Sequence, residues 1–186
     1  VSAMLTANSY KPEEEIAIVA PSFAMATAGD IAICAVMAGC KPEYFPVLVA
    51  AVDALADPQF NLLGVATTTG SATPVYIISG PIAAQIGLNG AANALGAGHR
   101  ANATIGRAMT LILQNICGAK PGELDMATLG QPAKYACCFA ENAENNPWPP
   151  LHVERGLAAD ASVVTVVGIA GTVEVNDSDS QTASDM

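Results

Sequence analysis

The sequence contains few charged residues. Of its 186 residues, 13% are charged and 52% are hydrophobic, whereas soluble domains typically carry about 25% charged residues. Surfaces that are buried between subunits need few charges, so we expect the chain to form a homo- or hetero-oligomer. No uninterrupted apolar run reaches the roughly 18 residues of a membrane-spanning helix, and we therefore expect no membrane partner.

Basic residues are the scarcest charged group. Seven Lys and Arg residues stand against 17 Asp and Glu residues, which gives a net charge of −10. So few cations cannot follow a phosphate backbone, and this excludes nucleic acid as a partner. The cations that do occur in suggestive contexts are Arg100, Arg107 and Arg155.

The five cysteines form no CxxC pair, so the sequence does not predict a zinc ribbon or a thioredoxin motif. They are Cys34, Cys40, Cys117, Cys137 and Cys138. No secretory signal is visible, which favours a reduced, cytoplasmic chain. The first residue is Val1 rather than Met, and we expect a trimmed or processed product or one half of a longer protein. The sequence indicates no particular cofactor.

Strand-like and helix-like segments alternate along the chain, which predicts an α/β fold with a layered sheet, parallel or mixed, covered by helices. Strands are predicted over 16–20, 61–69, 72–80 and 161–175, and helices over 22–39, 41–57, 81–88 and 100–118. Residues 119–150 are predicted to be mostly irregular. The segment "VVTVVGI" is apolar on both faces and fits a covered sheet. We expect one domain over 1–176 and an acidic, flexible tail over 177–186.

The stretch "LGAGHRANATIGRA", residues 95–108, combines glycines with three polar side chains at the start of a predicted helix. Free amides at a helix N-terminus attract anions. Arg100 has the forked geometry that binds a carboxylate, His99 could transfer a proton, and Asn102 could orient a carbonyl group. The alternative is that His99 and Arg100 are solvated and that Asn102 caps the helix.

The stretch "TTTGSATP", residues 67–74, follows a predicted strand, where α/β proteins often hold ligands. Thr68, Thr69 and Ser71 could hydrogen-bond to a small polar substrate. An ordinary Ser/Thr-rich turn explains the same residues equally well.

Cys40 lies between the end of one predicted helix and the start of the next, beside Lys41. A thiol near a helix N-terminus can have a lowered pKa and act as a nucleophile. The alternative is a small buried side chain, which is the commoner role of a free cysteine.

The segment "YACCFAENAENNPWPPLHVERG" is dense in functional side chains. Glu141 could be a general acid or base if burial raises its pKa. His152 and Glu154 lie on the same side of a strand-like "LHVER" and could form an acid–base pair or part of a metal site. A metal site is not predicted, because no third ligand is fixed by spacing. The remaining polar and aromatic residues predicted to bind substrate are Asn142, Trp148 and Arg155.

Three long segments carry a resemblance to a known family: "AVMAGCKPEYFPVLVAAV", "GHRANATIGRAMTLILQNICGAKPGELDMATLGQPAKY" and "FAENAENNPWPPLHVERG". They resemble a largely uncharacterised bacterial family associated with UGSC-motif (seleno)proteins, in which a selenocysteine or cysteine precedes Gly-Ser-Cys. The resemblance covers roughly residues 12–157. This chain has no Cys-Gly-Ser-Cys, so the resemblance implies that the thiol or selenol lies in a partner domain or chain and that this polypeptide supplies a substrate-binding half.

These features together predict an enzyme subunit that binds a small polar, carboxylate-bearing substrate. Arg100 would bind the carboxylate, Glu141 or His99 would move a proton, and Cys40 or a partner's thiol would attack. Lyase, hydratase and thiol-transfer chemistries all stay open. The alternatives are a non-catalytic structural or regulatory subunit with Trp148 and Arg155 as interface anchors, or a small-molecule binding module.

Overall fold

The structure is a computed structural model that describes residues 1–182, and its fold is α/β. Its helices are α1 (Ser2–Ala7), α2 (Ala28–Ala38), α3 (Phe45–Ala56), α4 (Leu62–Thr67), α5 (Pro81–Gln85), α6 (Arg100–Asn115) and α7 (Leu151–Glu154). Its strands are β1 (Glu15–Val19), β2 (Ala24–Thr27), β3 (Thr73–Ser79), β4 (Cys138–Ala140) and β5 (Val163–Ile169). Short 3-10 turns lie at Pro42–Tyr44, Pro58–Phe60 and Pro132–Lys134.

The strands form two separate sheets. β3 is the centre of a mixed three-stranded sheet, with β4 parallel on one side and β5 antiparallel on the other. β1 and β2 form an antiparallel hairpin in which Ile18 lies opposite Met25. The prediction of an α/β fold with a sheet flanked by helices is confirmed.

Helices α2, α3 and α6 hold the two sheets together. α6 packs along α2 and also contacts β4, while α3 contacts both β1 of the hairpin and β5 of the larger sheet. The largest side chains that are fully buried include Phe45, Leu48, Ile105 and Ile112. The core therefore lies between these helices and the inner faces of the sheets.

The helix predicted over 22–39 is wrong in its first part, because 24–27 forms β2. The helix begins after Thr27, whose Oγ1 accepts from the backbone N–H of Asp30 at 3.2 Å. Asp30 Oδ2 accepts in return from the N–H of Thr27 at 3.3 Å. This reciprocal capping box satisfies two backbone donors and fixes the start of α2.

The strand predicted over 61–69 is also wrong, because Leu62–Thr67 is helical. Asn61 has a left-handed backbone with φ of 52°, and its side-chain oxygen accepts from the N–H of Gly64 at 3.3 Å. This cap starts the helix. Thr67 Oγ1 then donates to the carbonyl of Leu63 at 2.8 Å, which satisfies its hydroxyl within the helix.

The strand-like reading of "LHVER" is corrected to the short helix α7. Pro150 is its N-cap, and proline readily precedes a helix but cannot continue a strand ladder. Successive helical residues are about 100° apart, so His152 and Glu154 do not share a face. His152 is buried whereas Glu154 is exposed. The three residues of β4 lie inside a region predicted as mostly irregular.

β5 lies at an edge of the sheet, and most of its residues are half-buried or exposed. Although β5 carries apolar residues on both faces, the two faces are not both covered within residues 1–182.

Within residues 1–182 no single helix has the length and apolar character needed to cross a membrane. One pair of consecutive helical segments, Pro42–Ala56 and Pro58–Thr67, meets both criteria jointly, but the two are bent by 69°.

Part of the predicted acidic tail is described. Asp177 accepts hydrogen bonds from the backbone N–H groups of Asp179 and Ser180 at 2.8 and 3.0 Å and from the hydroxyl of Ser180. The rest of the predicted tail, 183–186, lies outside the described residues, and the division into a domain and a tail stays a prediction.

Candidate functional site

Arg100 joins the stretch 95–108 to the end of α2, directly before Cys40. Its Nε and Nη2 donate to the carbonyl of Gly39 at 3.2 and 2.9 Å. Gly39 is the left-handed C-cap of α2, where carbonyl groups lack helical partners and carry partial negative charge. The guanidinium therefore caps α2, and two of its donors are already used. Its role in binding a carboxylate stays a prediction.

Cys40 lies next to this cap and is buried. Its thiol donates to the carbonyl of Thr104 at 3.3 Å. Burial raises the pKa of Cys40 to about 11, although a hydrogen bond with the side chain of Thr104 and the charge of Arg100 act in the opposite direction. The lowered pKa expected at this position is therefore wrong, because desolvation outweighs the nearby cation. This geometry disfavours Cys40 as a nucleophile.

Asn102 secures the small-residue loop that precedes α6. Its side-chain oxygen accepts from the N–H of Asn89 at 2.9 Å, and its amide donates to the carbonyls of Asn89 and Ala94 at 2.8 and 3.1 Å. The buried side chain is therefore occupied by the loop. His99 is the half-buried N-cap of α6 and makes no capping hydrogen bond with its side chain.

Glu141 lies where the parallel strands β3 and β4 both end. One carboxylate oxygen accepts from the hydroxyl of Ser79 at 2.5 Å. The other accepts from the N–H of Leu151 at 2.8 Å and from the side-chain amide of Asn146 at 3.3 Å. The carboxylate thus ties β3, the segment after β4 and the start of α7 together. Its role as a general acid or base stays a prediction.

His152 is only 2% exposed, and its Nε2 lies 3.3 Å from the carbonyl oxygen of Ala159. Its Nδ1 is buried and has no hydrogen-bond partner within residues 1–182. Among these residues no three His, Cys, Asp or Glu side chains are grouped so that they could hold a metal ion.

The other residues predicted in this region stay near the surface. Glu154 and Trp148 are exposed. The side-chain oxygen of Asn142 accepts from the backbone and side chain of Asn145 at 3.4 and 3.2 Å. Arg155 lies in a shallow groove of about 420 Å³ beside β5.

The segment containing Thr68, Thr69 and Ser71 follows helix α4 and precedes β3, so it does not lie at the carboxyl end of a strand. Thr68 Oγ1 accepts from the N–H of Gly70 at 3.0 Å, as in an ordinary turn. The carbonyls of Thr69 and Ser71 accept from Thr128 and Gln131. The segment is thereby fastened to 128–131, which forms part of the cleft described next.

A cleft of about 450 Å³ opens between α6, the start of β3 and the segment 119–135. None of the residues predicted as site residues lines it. Its apolar surface includes Val65, Leu113 and Leu129. Its polar side chains include Arg107, Thr110, Gln114, Asp125, Gln131 and Lys134. The cleft is at the opposite end of β3 from Glu141, because it is lined by the first two residues of that strand.

The two cations of the cleft differ in their partners. Lys134 Nζ lies 2.7 Å from Asp125 Oδ1, and both side chains are mostly buried. Arg107 is half-buried, and within residues 1–182 its guanidinium makes no ion pair and no hydrogen bond. The scarcity of cations singles out Arg107 in the sequence, but nothing there indicates its cleft or the Asp125–Lys134 pair.

Comparison of the chain with protein families, with curated proteins and with solved structures returns no match. The resemblance to the family associated with UGSC-motif proteins therefore stays a proposal. The function must be inferred from the geometry of the chain itself.

Proposed function

We propose that the chain binds a small organic carboxylate in the cleft beside α6 and serves as the substrate-binding subunit of an enzyme. The observation that carries this proposal is the guanidinium of Arg107, which lines the cleft and is unpaired among the described residues. A guanidinium presents five N–H donors in a planar fork that matches a carboxylate. The cleft volume of about 450 Å³ falls within the range of roughly 300–1,000 Å³ that is usual for small-molecule sites.

The remaining lining suggests what the rest of the ligand is like. Val65, Leu113 and Leu129 offer apolar contact to a carbon skeleton, and Gln114 offers a neutral polar group. Pockets that bind small molecules typically combine such apolar surface with a few polar groups that fix orientation. The expected ligand has a carboxylate at one end and a short carbon chain with one further polar group.

The Asp125–Lys134 pair gives this cleft a means of proton transfer. Lys134 Nζ lies 2.7 Å from Asp125 Oδ1, and lyase and hydratase reactions require a positioned acid or base of this kind. Thiol-transfer chemistry would draw its thiol or selenol from a partner, as the resemblance implies, because burial raises the pKa of every cysteine in this chain.

Calorimetric titration with mono- and dicarboxylates of two to six carbons tests the proposal. We expect Arg107→Gln to weaken binding of the best ligand by about 30- to 100-fold, since a charge-assisted bidentate contact contributes roughly 2–3 kcal/mol. Arg107→Lys keeps the positive charge but loses the planar fork of donors. Its affinity should lie between that of the wild-type chain and that of Arg107→Gln. Arg100→Gln is the matched comparison on the same helix and should leave affinity unchanged.

Two results would overturn this assignment. If Arg100→Gln weakens binding and Arg107→Gln does not, the ligand site lies around residues 98–102 and not in the cleft. If the wild-type chain binds none of these carboxylates at millimolar concentration, the cleft is not a carboxylate site.

The alternative of a non-catalytic structural or regulatory subunit is favoured by a different observation. Trp148, the one tryptophan of the sequence, is exposed, and tryptophan is enriched among residues that dominate binding at interfaces. Under that alternative Trp148→Ala would weaken assembly with a partner while carboxylate binding would be absent.

A further inference from the structure

We propose that the outer face of α2 is the interface between two copies of this chain. The inner face of α2 carries Ile31, Ala32 and Ala35, which are fully buried. The outer face carries Ile33, Val36 and Met37, which are 48%, 46% and 64% exposed. A helix that is apolar on all sides is normally buried on all sides, so this outer face lacks a partner within the part of the chain that the structure describes.

The charges at the two ends of α2 indicate what that partner is. Asp30 lies three and seven residues before Ile33 and Met37, and therefore on the same stripe of the helix. Beyond the other end of α2 are Lys41 and Arg100, the latter held against the carbonyl of Gly39. The helix thus has an acidic group at one end, apolar side chains on its outer face and basic groups beyond its other end.

Such an arrangement is complementary to itself when it is reversed. In a two-fold interface, each contact between two residues occurs twice, with the roles of the copies exchanged. An antiparallel second copy of α2 brings each Asp30 to the basic end of the other helix. The two resulting cross-pairs oppose the repulsion between chains that each carry a net charge of −10.

Within residues 1–182, Asp30 and Arg100 each keep a polar atom free for these pairs, and Lys41 makes only an exposed ion pair. Within residues 1–182 the capping interactions of Asp30 use Oδ2 and leave Oδ1 without a bond. Arg100 uses Nε and Nη2 on Gly39 and leaves Nη1. Lys41 makes a surface contact of 3.6 Å with Glu43, and an exposed pair of this kind exchanges at little cost.

The end-to-end pairing also fixes the register of the two helices. The acidic and basic ends are about 15 Å apart along the axis at 1.5 Å per residue, so the two-fold axis passes close to Ala35 and Val36. Ile33 of one copy then packs against Met37 of the second copy, and the two Val36 side chains lie close to each other.

The hairpin next to α2 enlarges the apolar surface. β2 leads directly into α2 and contacts it. Together with the three outer residues of α2, the exposed side chains of the hairpin, Ile18, Phe23 and Met25, offer on the order of 600 Å². Specific interfaces bury about 600–1,000 Å² on each partner, so this surface lies at the lower end of the range for a stable dimer.

Sedimentation velocity of the full chain from about 1 to 200 μM tests the proposal. We expect the wild-type chain to be a dimer and Met37→Glu to weaken association at least 100-fold, because the glutamate would be buried opposite Ile33. The matched control is Leu95→Glu, which also replaces an exposed apolar residue but lies in the loop before α6 rather than in α2 or the hairpin, and it should stay dimeric. Far-ultraviolet circular dichroism of both variants verifies that they fold.

The register is tested separately with two substitutions of exposed residues. Lys41→Glu should weaken the dimer about 3- to 10-fold by facing Asp30 of the second copy, and Val36→Cys should give a disulfide-linked dimer on mild oxidation. A wild-type chain that is monomeric throughout, or a Met37→Glu variant that dimerises normally, overturns the interface. A dimer that is unaffected by Lys41→Glu and gives no disulfide through Val36→Cys overturns the antiparallel arrangement.

Discussion

The hydroxyl of Ser79 and the carboxylate of Glu141 form a 2.5 Å hydrogen bond that joins the ends of two parallel strands. Ser79 is buried at the last position of β3. Glu141 follows β4 directly, and its backbone N–H donates to the carbonyl of Ile78 at 2.9 Å. The backbone hydrogen bond from Glu141 to Ile78 therefore extends the short β3–β4 pairing by one residue. The bond between Ser79 and the Glu141 carboxylate fastens the loop that leads to α7.

We expect Ser79→Ala and Glu141→Gln each to lower the free energy of unfolding by about 1–3 kcal/mol, since a carboxylate that accepts several hydrogen bonds loses one or more of them. Urea unfolding measures this, and the double variant should cost less than the sum of the two, because they share one contact. Affinity for a ligand in the cleft should not change. Unaltered stability of Glu141→Gln together with lost turnover would assign Glu141 to catalysis instead.

We expect Asn102→Ala to destabilise the chain by about 2–4 kcal/mol, because it leaves the half-buried N–H of Asn89 and carbonyl of Ala94 without their partner and removes one of the two donors to the carbonyl of Asn89. Hydrogen exchange of the Asn89 amide should accelerate more than exchange in the middle of α6. Thr104→Ala on the same helix is the comparison, since Thr104 Oγ1 donates to the carbonyl of Arg100 in its own helix rather than to the loop. Slow exchange at Asn89 in Asn102→Ala would contradict a role in holding the loop.

The buried thiols predict a loss of stability in alkali. Burial raises the pKa of Cys40 from its ordinary value of 9.0 to about 11 and that of Cys117 to about 12. The unfolded chain therefore loses thiol protons at lower pH than the folded chain does. The stabilisation is complete below pH 9 and is lost as the pH rises towards 11 and 12, so the urea midpoint should fall over that window.

A Cys117→Ala variant is the control for this pH dependence. It should lose part of the alkaline decline, while exposed-residue variants such as Leu95→Glu should retain it. Alkylation at pH 8 gives a second readout: Cys137, the half-buried thiol, should react before the others. Rapid alkylation of Cys40 at neutral pH would contradict the raised pKa.

The strongest local patterns in the sequence predicted the fold well. The β-branched run of β3 and the periodic apolar face of α6 specify their own structure, and both were predicted close to their observed bounds. α6 ends at Asn115 rather than close to the left-handed Gly118. The exact end of a helix or strand depends on the residues that pack around it. A local sequence pattern does not contain that information.

The elements that were missed depend on single caps or distant contacts. α4 starts at a left-handed Asn61, and a short apolar run such as "NLLGVATTT" cannot be distinguished from a strand by periodicity. The first residue of α7, Leu151, donates its backbone N–H to the carboxylate of Glu141, which lies ten residues earlier in the chain. β4 has three residues, and only its pairing with β3 makes it a strand.

The contacts of the candidate site residues were predicted less well than the fold, for a comparable reason. The sequence suggested Arg100 for ligand binding, but its acceptor is a backbone carbonyl 61 residues earlier, and a carbonyl group has no signature in a sequence. The cleft around Arg107 is built from α6, β3 and the segment 119–135. The scarcity of cations was the one local signal that pointed to Arg107.

The order of the strands along the chain has a consequence for synthesis on the ribosome. The central strand β3 pairs along all seven residues with β5, which follows it by roughly ninety residues, and such distant pairing slows folding. The helical first half can collapse early, but one edge of β3 stays unpaired until residue 169 has emerged. A nascent chain that stalls before Val163 therefore exposes a bare strand of high β-propensity, the kind of edge on which aggregation begins.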